Sequence, residues 1–222
     1  MNVFRVMRLP DLFTLLNVVF GFLALLVAGA YPQYAVVFIL LAAMADGLDG
    51  FLARKVGGSP LGANLDSLAD LISFGTAPVF LVISAFHLPP HIWPVGIFFL
   101  LCGTLRLARF NVVSGKSDQF FEGLPIPAAG IALSTSVLLG RQTLTIVLML
   151  FLALLMTSSI PYPKIRDLRI MAILGGIFLV VGLVLFRQHD LDDIFYATLV
   201  VIALITFYLS SPVVIARLRK GK

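Results

Sequence analysis

Four aspartates lie close together in a segment of the chain that is otherwise apolar. Asp46 and Asp49 are three residues apart, and Asp66 and Asp70 are four apart. Residues at these spacings share one face of a helix, so two neighbouring helices could turn all four carboxylates toward each other. A charged side chain at the centre of a membrane helix costs about 2.5 to 3.5 kcal/mol. The two bases that follow the first pair are too few to neutralise four acids, so the pattern predicts a bound divalent cation.

The residue types around the aspartates indicate which cation and which ligand. No cysteine or histidine lies between residues 45 and 70, and carboxylate oxygens alone suit Mg²⁺ or Mn²⁺ better than zinc. Two such ions would stabilise phosphoryl displacement. Gly47 and Gly50 follow the first pair and leave room for a ligand, and Arg54 is placed to meet a diphosphate. The alternative is a tightly packed, salt-bridged turn between two helices.

The elements that must position these acids are membrane helices. The chain has 222 residues, of which 60% are hydrophobic and 12% charged, and its mean hydropathy is +1.06. A water-soluble domain carries about 25% charged residues, and a spanning helix needs about 20 apolar residues. We find eight such runs, at residues 12–30, 34–53, 65–86, 92–108, 124–140, 143–160, 170–186 and 195–216. The runs are continuous, which disfavours a β-barrel, and the first is interpreted as a retained helix.

This pattern predicts an all-α fold: a polytopic transmembrane helix bundle of about eight spans, forming a single domain over residues 1–222. Lysine and arginine accumulate on the cytoplasmic side of membrane proteins. If eight helices cross the membrane in alternating directions, fourteen of the sixteen basic residues fall on one side of the membrane. Only Arg141 and Arg187 fall on the other. Both termini and the aspartates are therefore expected at the cytoplasmic face. The net charge of +5 then reflects topology and contact with anionic membrane lipids, and no nucleic-acid partner is expected.

Two adjacent motifs carry a family resemblance. D-G-L-D-G-F-L-A-R, from Asp46 to Arg54, and G-A-N-L-D-S-L-A-D, from Gly62 to Asp70, resemble the signature of the CDP-alcohol phosphatidyltransferases. These membrane enzymes displace CMP from a CDP-linked substrate with an alcohol. The family commonly has eight residues between the two motifs, and this chain has seven. The shorter spacer leaves the carboxylates in phase within each helix.

Further segments narrow the resemblance to the phosphatidylserine synthase branch of that family. They are S-L-A-D-L-I-S-F-G-T-A-P from Ser67, L-R-L-A-R-F-N from Leu105 and F-E-G-L-P-I-P-A-A-G from Phe121. The segment L-P-D-L-F-T-L-L-N, which begins at Leu9, is similar to the family's opening P-N-x-x-T-x-x-N. Asp11 stands where asparagine is commoner.

The resemblance implies a fold, a reaction and a location. It implies a six-helix family core with extra C-terminal helices, in an integral protein of the plasma membrane that works as a homodimer with its active site facing the cytoplasm. The implied reaction belongs to phospholipid biosynthesis. It transfers the phosphatidyl group of CDP-diacylglycerol, or the corresponding group of CDP-archaeol in an archaeal host, to the hydroxyl of L-serine. Metal-assisted direct displacement would release CMP and form phosphatidylserine.

The resemblance also implies roles for individual residues. Asp46, Asp49, Asp66 and Asp70 would hold two Mg²⁺ or Mn²⁺ ions, and Asp70 would be the catalytic general base. The implied contacts to cytidine diphosphate are Thr14, Asn17, Gly50, Ala53, Arg54 and Gly62.

Three more polar residues are candidates for binding the acceptor alcohol. Arg106 and Arg109 could recognise the carboxylate of serine, because a bidentate guanidinium suits a carboxylate. The alternative is that they snorkel to the membrane interface. Glu122 could meet the serine ammonium group, or it could cap the helix that follows.

Other functions remain open from the residues alone. The acceptor could be glycerol phosphate, inositol phosphate or choline. A membrane prenyltransferase also uses aspartate pairs with Mg²⁺, but its N-D-x-x-D-x-x-x-D spacing is absent. A divalent-cation transporter would place its acids near the midplane, often between repeated halves. Here the acids adjoin Arg54 and Lys55, and the sequence has no visible repeat.

Overall fold

Helices dominate the described part of the chain. A computed structural model describes residues 3–113, 120–163, 168–187 and 191–220, so four bases of the topology prediction, Lys116, Lys164, Arg166 and Lys222, lie outside it. The helices are α1 (Val3–Val6), α2 (Leu9–Val27), α3 (Pro32–Val56), α4 (Gly62–Asp70), α5 (Ala77–Ala85), α6 (Trp93–Val113), α7 (Ile126–Val137), α8 (Gln142–Thr157), α9 (Leu168–Arg187) and α10 (Leu191–Lys220). A π-helical turn, Leu71–Thr76, joins α4 to α5, and a 3₁₀ turn, Pro90–Ile92, precedes α6.

The eight predicted apolar runs all form helices, with α4, the π turn and α5 counting as one. Six have the length and composition of membrane-spanning helices: Leu9–Val27, Pro32–Val56, Gly62–Ala85, Pro90–Val112, Arg169–Arg187 and Ile194–Pro212. They make the chain an integral membrane protein and confirm the all-α helix-bundle prediction.

Helices α7 and α8 are shorter than predicted from the apolar runs at residues 124–140 and 143–160. They have 12 and 16 residues, or about 18 and 24 Å at 1.5 Å per residue, which is less than the roughly 30 Å of a bilayer core. The flanking residues explain the difference. Pro125 precedes α7 in an extended conformation, and Gly140, with φ of +64°, lies in the turn that follows it. Helix α8 ends at Thr157 because Ser158 is extended.

Helix α7 lies at the centre of the bundle. Ten of its residues, from Ile126 to Val137, are buried, and it packs against α3, α5, α8 and α10. Helix α2 packs along α3 and also contacts α4 and the π turn, whereas α6 packs on α8. Helices α9 and α10 lie at the periphery, where only 17% of each spanning segment is buried. The ends of α2, α3, α4 and α6 that carry the predicted site residues are thereby held together.

The π turn is explained by the residue that follows it. Pro78 has no N–H to donate to the carbonyl of Phe74, so an α-helical hydrogen bond is missing at this point. The backbone widens, Ala77 donates to the carbonyl of Ile72, and the hydroxyl of Thr76 donates to the carbonyl of Leu71 at 3.0 Å. Such single π turns often lie at functional sites, and this one begins directly after Asp70.

Two short strands were not predicted from the sequence. β1 (Phe120–Glu122) pairs antiparallel with β2 (Pro161–Pro163), with Phe121 opposite Tyr162. The strands precede α7 and follow α8. Their pairing therefore ties the α6–α7 connection to the end of α8, close to the end of the helix that carries Arg106 and Arg109.

Candidate active site

The structure brings three of the predicted aspartates into one cluster. Asp46 and Asp49 lie on α3 and Asp66 lies on α4, and one carboxylate oxygen from each falls within 4.8 Å of the other two. Asp49 is buried, and Asp46 and Asp66 are half-buried. The spacings of three and four residues place these side chains on facing helix surfaces, as the sequence predicted.

Asp70 lies one turn beyond Asp66 and is also buried. Its side chain is within hydrogen-bonding reach of Asp46, which also reaches Asp66. Four carboxylates therefore converge between α3 and α4. Like charges this close repel each other, and a shared divalent cation would offset that repulsion.

A polar face of α2 supports the cluster from a third side. Thr14 and Asn17 are three residues apart and fully buried. The hydroxyl of Thr14 donates to Oδ2 of Asp49 at 2.6 Å, and Nδ2 of Asn17 donates to Oδ1 of Asp70 at 3.4 Å. Two residues of α2 thus each orient one aspartate, Thr14 on α3 and Asn17 on α4.

Asn17 also provides a test of whether the site fits a ligand. Its Oδ1 atom is buried and has no hydrogen-bond partner among the described residues. Leaving such an acceptor unpaired is unfavourable by about 1 to 3 kcal/mol. This arrangement fits a hard divalent cation that keeps some of its waters. The carboxylates would bind the cation, and one of its waters would donate a hydrogen bond to Oδ1 of Asn17. The donor set is all oxygen, as Mg²⁺ and Mn²⁺ prefer.

Two glycines keep the backbones around the cluster close together. A Cβ added to Gly21, one turn beyond Asn17, would lie 2.8 Å from Cα of Ser73 in the π turn. The hydroxyl of Ser73 donates to the carbonyl of Asn17 at 2.9 Å. A Cβ on Gly130 of α7 would lie 2.7 Å from the carbonyl oxygen of Phe74. The π turn is therefore held between α2 and α7, which fixes the position of Asp70.

The predicted contacts to cytidine diphosphate border the cluster. Gly50 and Ala53 are half-buried on α3, and Gly62 is the first residue of α4. Arg54 is exposed. Its Nη2 atom lies 3.6 Å from the sulfur of Met171 on α9, and its Nη1 atom lies near Gly50. The small residues leave space beside the carboxylates, and Arg54 brings a positive charge to the edge of that space.

The two candidate arginines for acceptor binding have different surroundings. Arg106 is only 6% exposed, and its charge interacts with Asp66 and Asp70. Its guanidinium lies 5.4 Å from the ring centre of Phe110. Arg106 is therefore turned into the bundle beside the aspartates and does not snorkel to an interface.

Arg109 is surrounded by backbone carbonyls. Its Nη2 atom donates to the carbonyls of Met156 at 3.2 Å and Ser158 at 3.1 Å, and also to that of Glu122. Its Nη1 atom donates to the carbonyl of Thr157 at 3.4 Å. A cation at the end of a helix satisfies its last carbonyls and complements the helix dipole. Arg109 thus caps α8 and ties β1 to it, and the side chain of Glu122 is exposed.

Sequence reasoning missed several residues near the site. Asp11 and Ser59 hydrogen-bond to each other beside Gly62, and Asp11 had been singled out only as a departure from the family pattern. Asp11, Thr14, Asn17 and Gly21 follow each other at intervals of three, three and four residues, a spacing that could have revealed the buried face of α2. Tyr208 of α10 reaches the surroundings of Arg106 and donates to the carbonyl of Pro163 at 3.2 Å. Nothing in its sequence context indicates that position.

Comparison with known proteins gives a family and several relatives. The sequence model of the CDP-alcohol phosphatidyltransferase family matches residues 7–216. An archaetidylserine synthase of Methanothermobacter thermautotrophicus is 42% identical over 164 residues, which cover 71% of this chain and 70% of that protein.

Two further relatives carry the name CDP-diacylglycerol–serine O-phosphatidyltransferase. The protein of Methanocaldococcus jannaschii is 38% identical over 162 residues, covering 72% of this chain and 76% of its own. The protein of Helicobacter pylori strain 26695 is 33% identical over 176 residues, covering 72% and 73%. The matches extend over archaeal and bacterial proteins.

Proposed function

Because the chain belongs to the CDP-alcohol phosphatidyltransferase family, we propose that it transfers the lipid phosphate of a CDP-linked lipid to the hydroxyl of L-serine and releases CMP. The lipid is CDP-diacylglycerol, or CDP-archaeol in an archaeal host. The observation that carries the proposal is the cluster of aspartates between α3 and α4, with a buried arginine beside it. The names of the relatives support serine as the acceptor.

The carboxylates of Asp46, Asp49, Asp66 and Asp70 hold the divalent cations in this proposal, and four carboxylates suffice for two ions. When bound, Mg²⁺ or Mn²⁺ would neutralise charge on the diphosphate of the lipid substrate. The residues of α2 keep the ligands in place. Thr14 fixes one oxygen of Asp49 through its 2.6 Å hydrogen bond, and Asn17 contacts Asp70.

The cytidine diphosphate lies against the small residues that flank the aspartates. Gly50, Ala53 and Gly62 leave its phosphates room to approach the α3 and α4 backbones, and Thr14 and Asn17 line it from α2. Arg54 donates charge-assisted hydrogen bonds to the phosphates, which are the strongest kind available to an exposed side chain. Its exposed position lets it move from Met171 to the ligand.

Asp70 is the general base. As the serine oxygen attacks the lipid-bearing phosphorus, a new P–O bond forms, and Asp70 accepts the hydroxyl proton. The bond between that phosphorus and the bridging oxygen breaks, and CMP leaves with the electron pair. The burial of Asp70 excludes bulk water from the transferred proton and keeps hydrolysis low.

Serine is oriented by Arg106. A free carboxylate distinguishes serine from inositol or glycerol, and a buried guanidinium binds a carboxylate with two parallel hydrogen bonds. Arg106 is the better placed of the two candidates, because it is buried and its charge lies beside Asp66 and Asp70, whereas Arg109 donates to backbone carbonyls at the end of α8. Glu122 remains the candidate for the ammonium group of serine.

The charge distribution supports an active site that faces the cytoplasm of the plasma membrane, with both termini on that side. Arg8 precedes α2, Arg54 and Lys55 end α3, and Arg169 begins α9, so bases collect at the end of the bundle that holds the aspartates. Positive residues are retained on the cytoplasmic side. In this proposal residues 1–222 form one domain, and the protein works as a homodimer.

Our first prediction concerns the acceptor. Purified protein supplied with CDP-diacylglycerol or CDP-archaeol and Mg²⁺ or Mn²⁺ should release CMP with L-serine. Glycerol 3-phosphate, inositol, inositol phosphate and choline should release little, because none offers a carboxylate to Arg106. CMP is measured after each addition, with EDTA as the control. Release of CMP with another alcohol but not with serine would refute serine as the acceptor. Metal transport into liposomes without any release of CMP would refute the transferase activity.

The second prediction separates chemistry from binding. Asp70→Asn should retain CDP-lipid binding, because Asp46, Asp49 and Asp66 still offer three carboxylates within 4.8 Å of one another to a cation. Its turnover should fall by about 100-fold or more, as expected when a general base is lost. Asp46→Asn should lose both, because it removes a ligand of the cation that holds the diphosphate. Binding is measured by equilibrium dialysis of radiolabelled CDP-lipid in detergent. Unimpaired lipid binding by Asp46→Asn would contradict the metal assignment.

The third prediction distinguishes the two arginines. Arg106→Lys should raise the KM for serine by about tenfold or more, the equivalent of a lost hydrogen bond to a charged group, and leave the KM for CDP-lipid unchanged. Arg109→Lys is the matched control. It should lower the melting temperature, because carbonyls at the end of α8 lose donors, with little change in the KM for serine. The opposite pattern would assign serine binding to Arg109.

A further inference from the structure

The loop at residues 57–61 joins the two helices that carry the aspartates. Gly57 has φ of +87°, and its N–H donates to the carbonyl of Ala53 at 3.1 Å, which ends α3. Helix α4 begins five residues later at Gly62. Because the loop is so short, its conformation determines how the carboxylates of α3 stand relative to those of α4.

Two hydrogen bonds join this loop to the start of α2, and two local hydrogen bonds brace the residues that make them. Oδ1 of Asp11 accepts from the hydroxyl of Ser59 at 3.0 Å, and Oδ2 accepts from the backbone N–H of Arg8 at 2.7 Å. Oγ of Ser59 in turn accepts from the N–H of Leu61 at 3.2 Å. The Arg8 guanidinium donates to the carbonyl of Gly58 at 2.9 Å. We call Arg8, Asp11 and Ser59 the loop clamp.

Asp11 is the central member of the loop clamp. It is 1% exposed, and each of its oxygens has a partner, so its buried charge is compensated inside the fold. It also adjoins the site directly, because a Cβ added to Gly62 would lie 3.5 Å from Oδ1 of Asp11. Asp11 therefore bonds to the loop through Ser59 and lies beside a residue assigned to the cytidine diphosphate.

We propose that Asp11 is a positioning residue, which acts through Ser59 to hold the loop at 57–61 and thereby the CDP-lipid side of the active site. This inference rests on the proposed function. The loop that the clamp holds lies between Arg54 and Gly62, which are the proposed contacts to the diphosphate. Arg106, which would bind serine, lies on α6. Weakening the loop clamp should therefore affect CDP-lipid and spare serine.

The geometry also determines which substitutions are tolerated. Asparagine at position 11 retains an oxygen that accepts from the N–H of Arg8. Its amide N–H can donate to Oγ of Ser59, which replaces the bond that the Ser59 hydroxyl donates to Asp11. Asp11→Asn should therefore preserve the loop clamp, whereas Asp11→Ala removes both bonds. Ser59→Thr keeps the hydroxyl, and Ser59→Ala loses it.

The test is a double-mutant cycle on the full chain in detergent. Ser59→Ala and Asp11→Ala share the loss of the hydrogen bond between Ser59 and Asp11, and each should raise the KM and the Kd for CDP-lipid by about three- to tenfold, with the KM for serine unchanged. The double variant should be no worse than Asp11→Ala alone, because the contact between the two side chains is already lost in that variant. Asp11→Asn and Ser59→Thr should stay within about twofold of the parent protein.

Two further variants keep the test decisive. Arg8→Ala, on an exposed side chain, removes the bond to Gly58 and should weaken CDP-lipid binding in the same direction by a smaller factor. Ser210→Ala is the matched control, because among the described residues this exposed hydroxyl bonds within α10, to the carbonyl of Phe207 at 2.8 Å. It should leave every constant unchanged.

Three results would overturn the proposal: additive effects in the double variant, equal changes in the KM for serine and for CDP-lipid, or an Asp11→Asn variant as impaired as Asp11→Ala. The Kd for CDP-lipid is measured without serine, so the loop clamp is tested whether or not serine is the acceptor. A parent protein that binds CDP-lipid but releases no CMP with serine would refute the proposed acceptor alone.

Discussion

Carboxylates clustered in an apolar bundle repel one another, so the surrounding structure must hold them together, and a divalent cation would compensate their charge. Asp46, Asp49 and Asp66 approach within 4.8 Å, with Asp70 next to them. Their separation depends on α3 and α4, which belong to different membrane spans and are joined by a short loop. Small shifts of either helix would change the site, because a divalent cation requires its oxygen ligands at defined distances.

Helix α2 supplies the third support that this arrangement needs. Its buried face contacts the loop through Asp11, α3 through Thr14, α4 through Asn17 and the π turn through Gly21. These four residues repeat at helical spacing, so a single rigid helix contacts each part of the acidic site in turn. The π turn after Asp70 is pressed between this face and α7. The residues proposed to catalyse and to bind thus depend on helix packing as well as on their own chemistry.

The sequence predicted the aspartate cluster and the helix bundle because both follow from local rules. Spacings of three and four residues determine a helix face, and continuous apolar runs determine membrane helices. Contacts between distant segments could not be predicted in this way. The partners of Arg109 are backbone carbonyls at residues 122 and 156–158, which leave no trace in side-chain type. The length of α7 depended on Pro125 and Gly140 and that of α8 on the extended Ser158. The pairing of Asp11 with Ser59 spans 48 residues.

The central claim is that carboxylates from α3 and α4 together form one divalent-cation site. The most direct measurement is a titration of the purified protein with Mn²⁺, followed by electron paramagnetic resonance, for the parent protein and for single Asp→Asn variants at positions 46 and 66. The parent protein should bind Mn²⁺ with saturation, and either variant should lose that binding, because each helix contributes essential ligands. Saturable binding that persists unchanged in both variants would contradict the account.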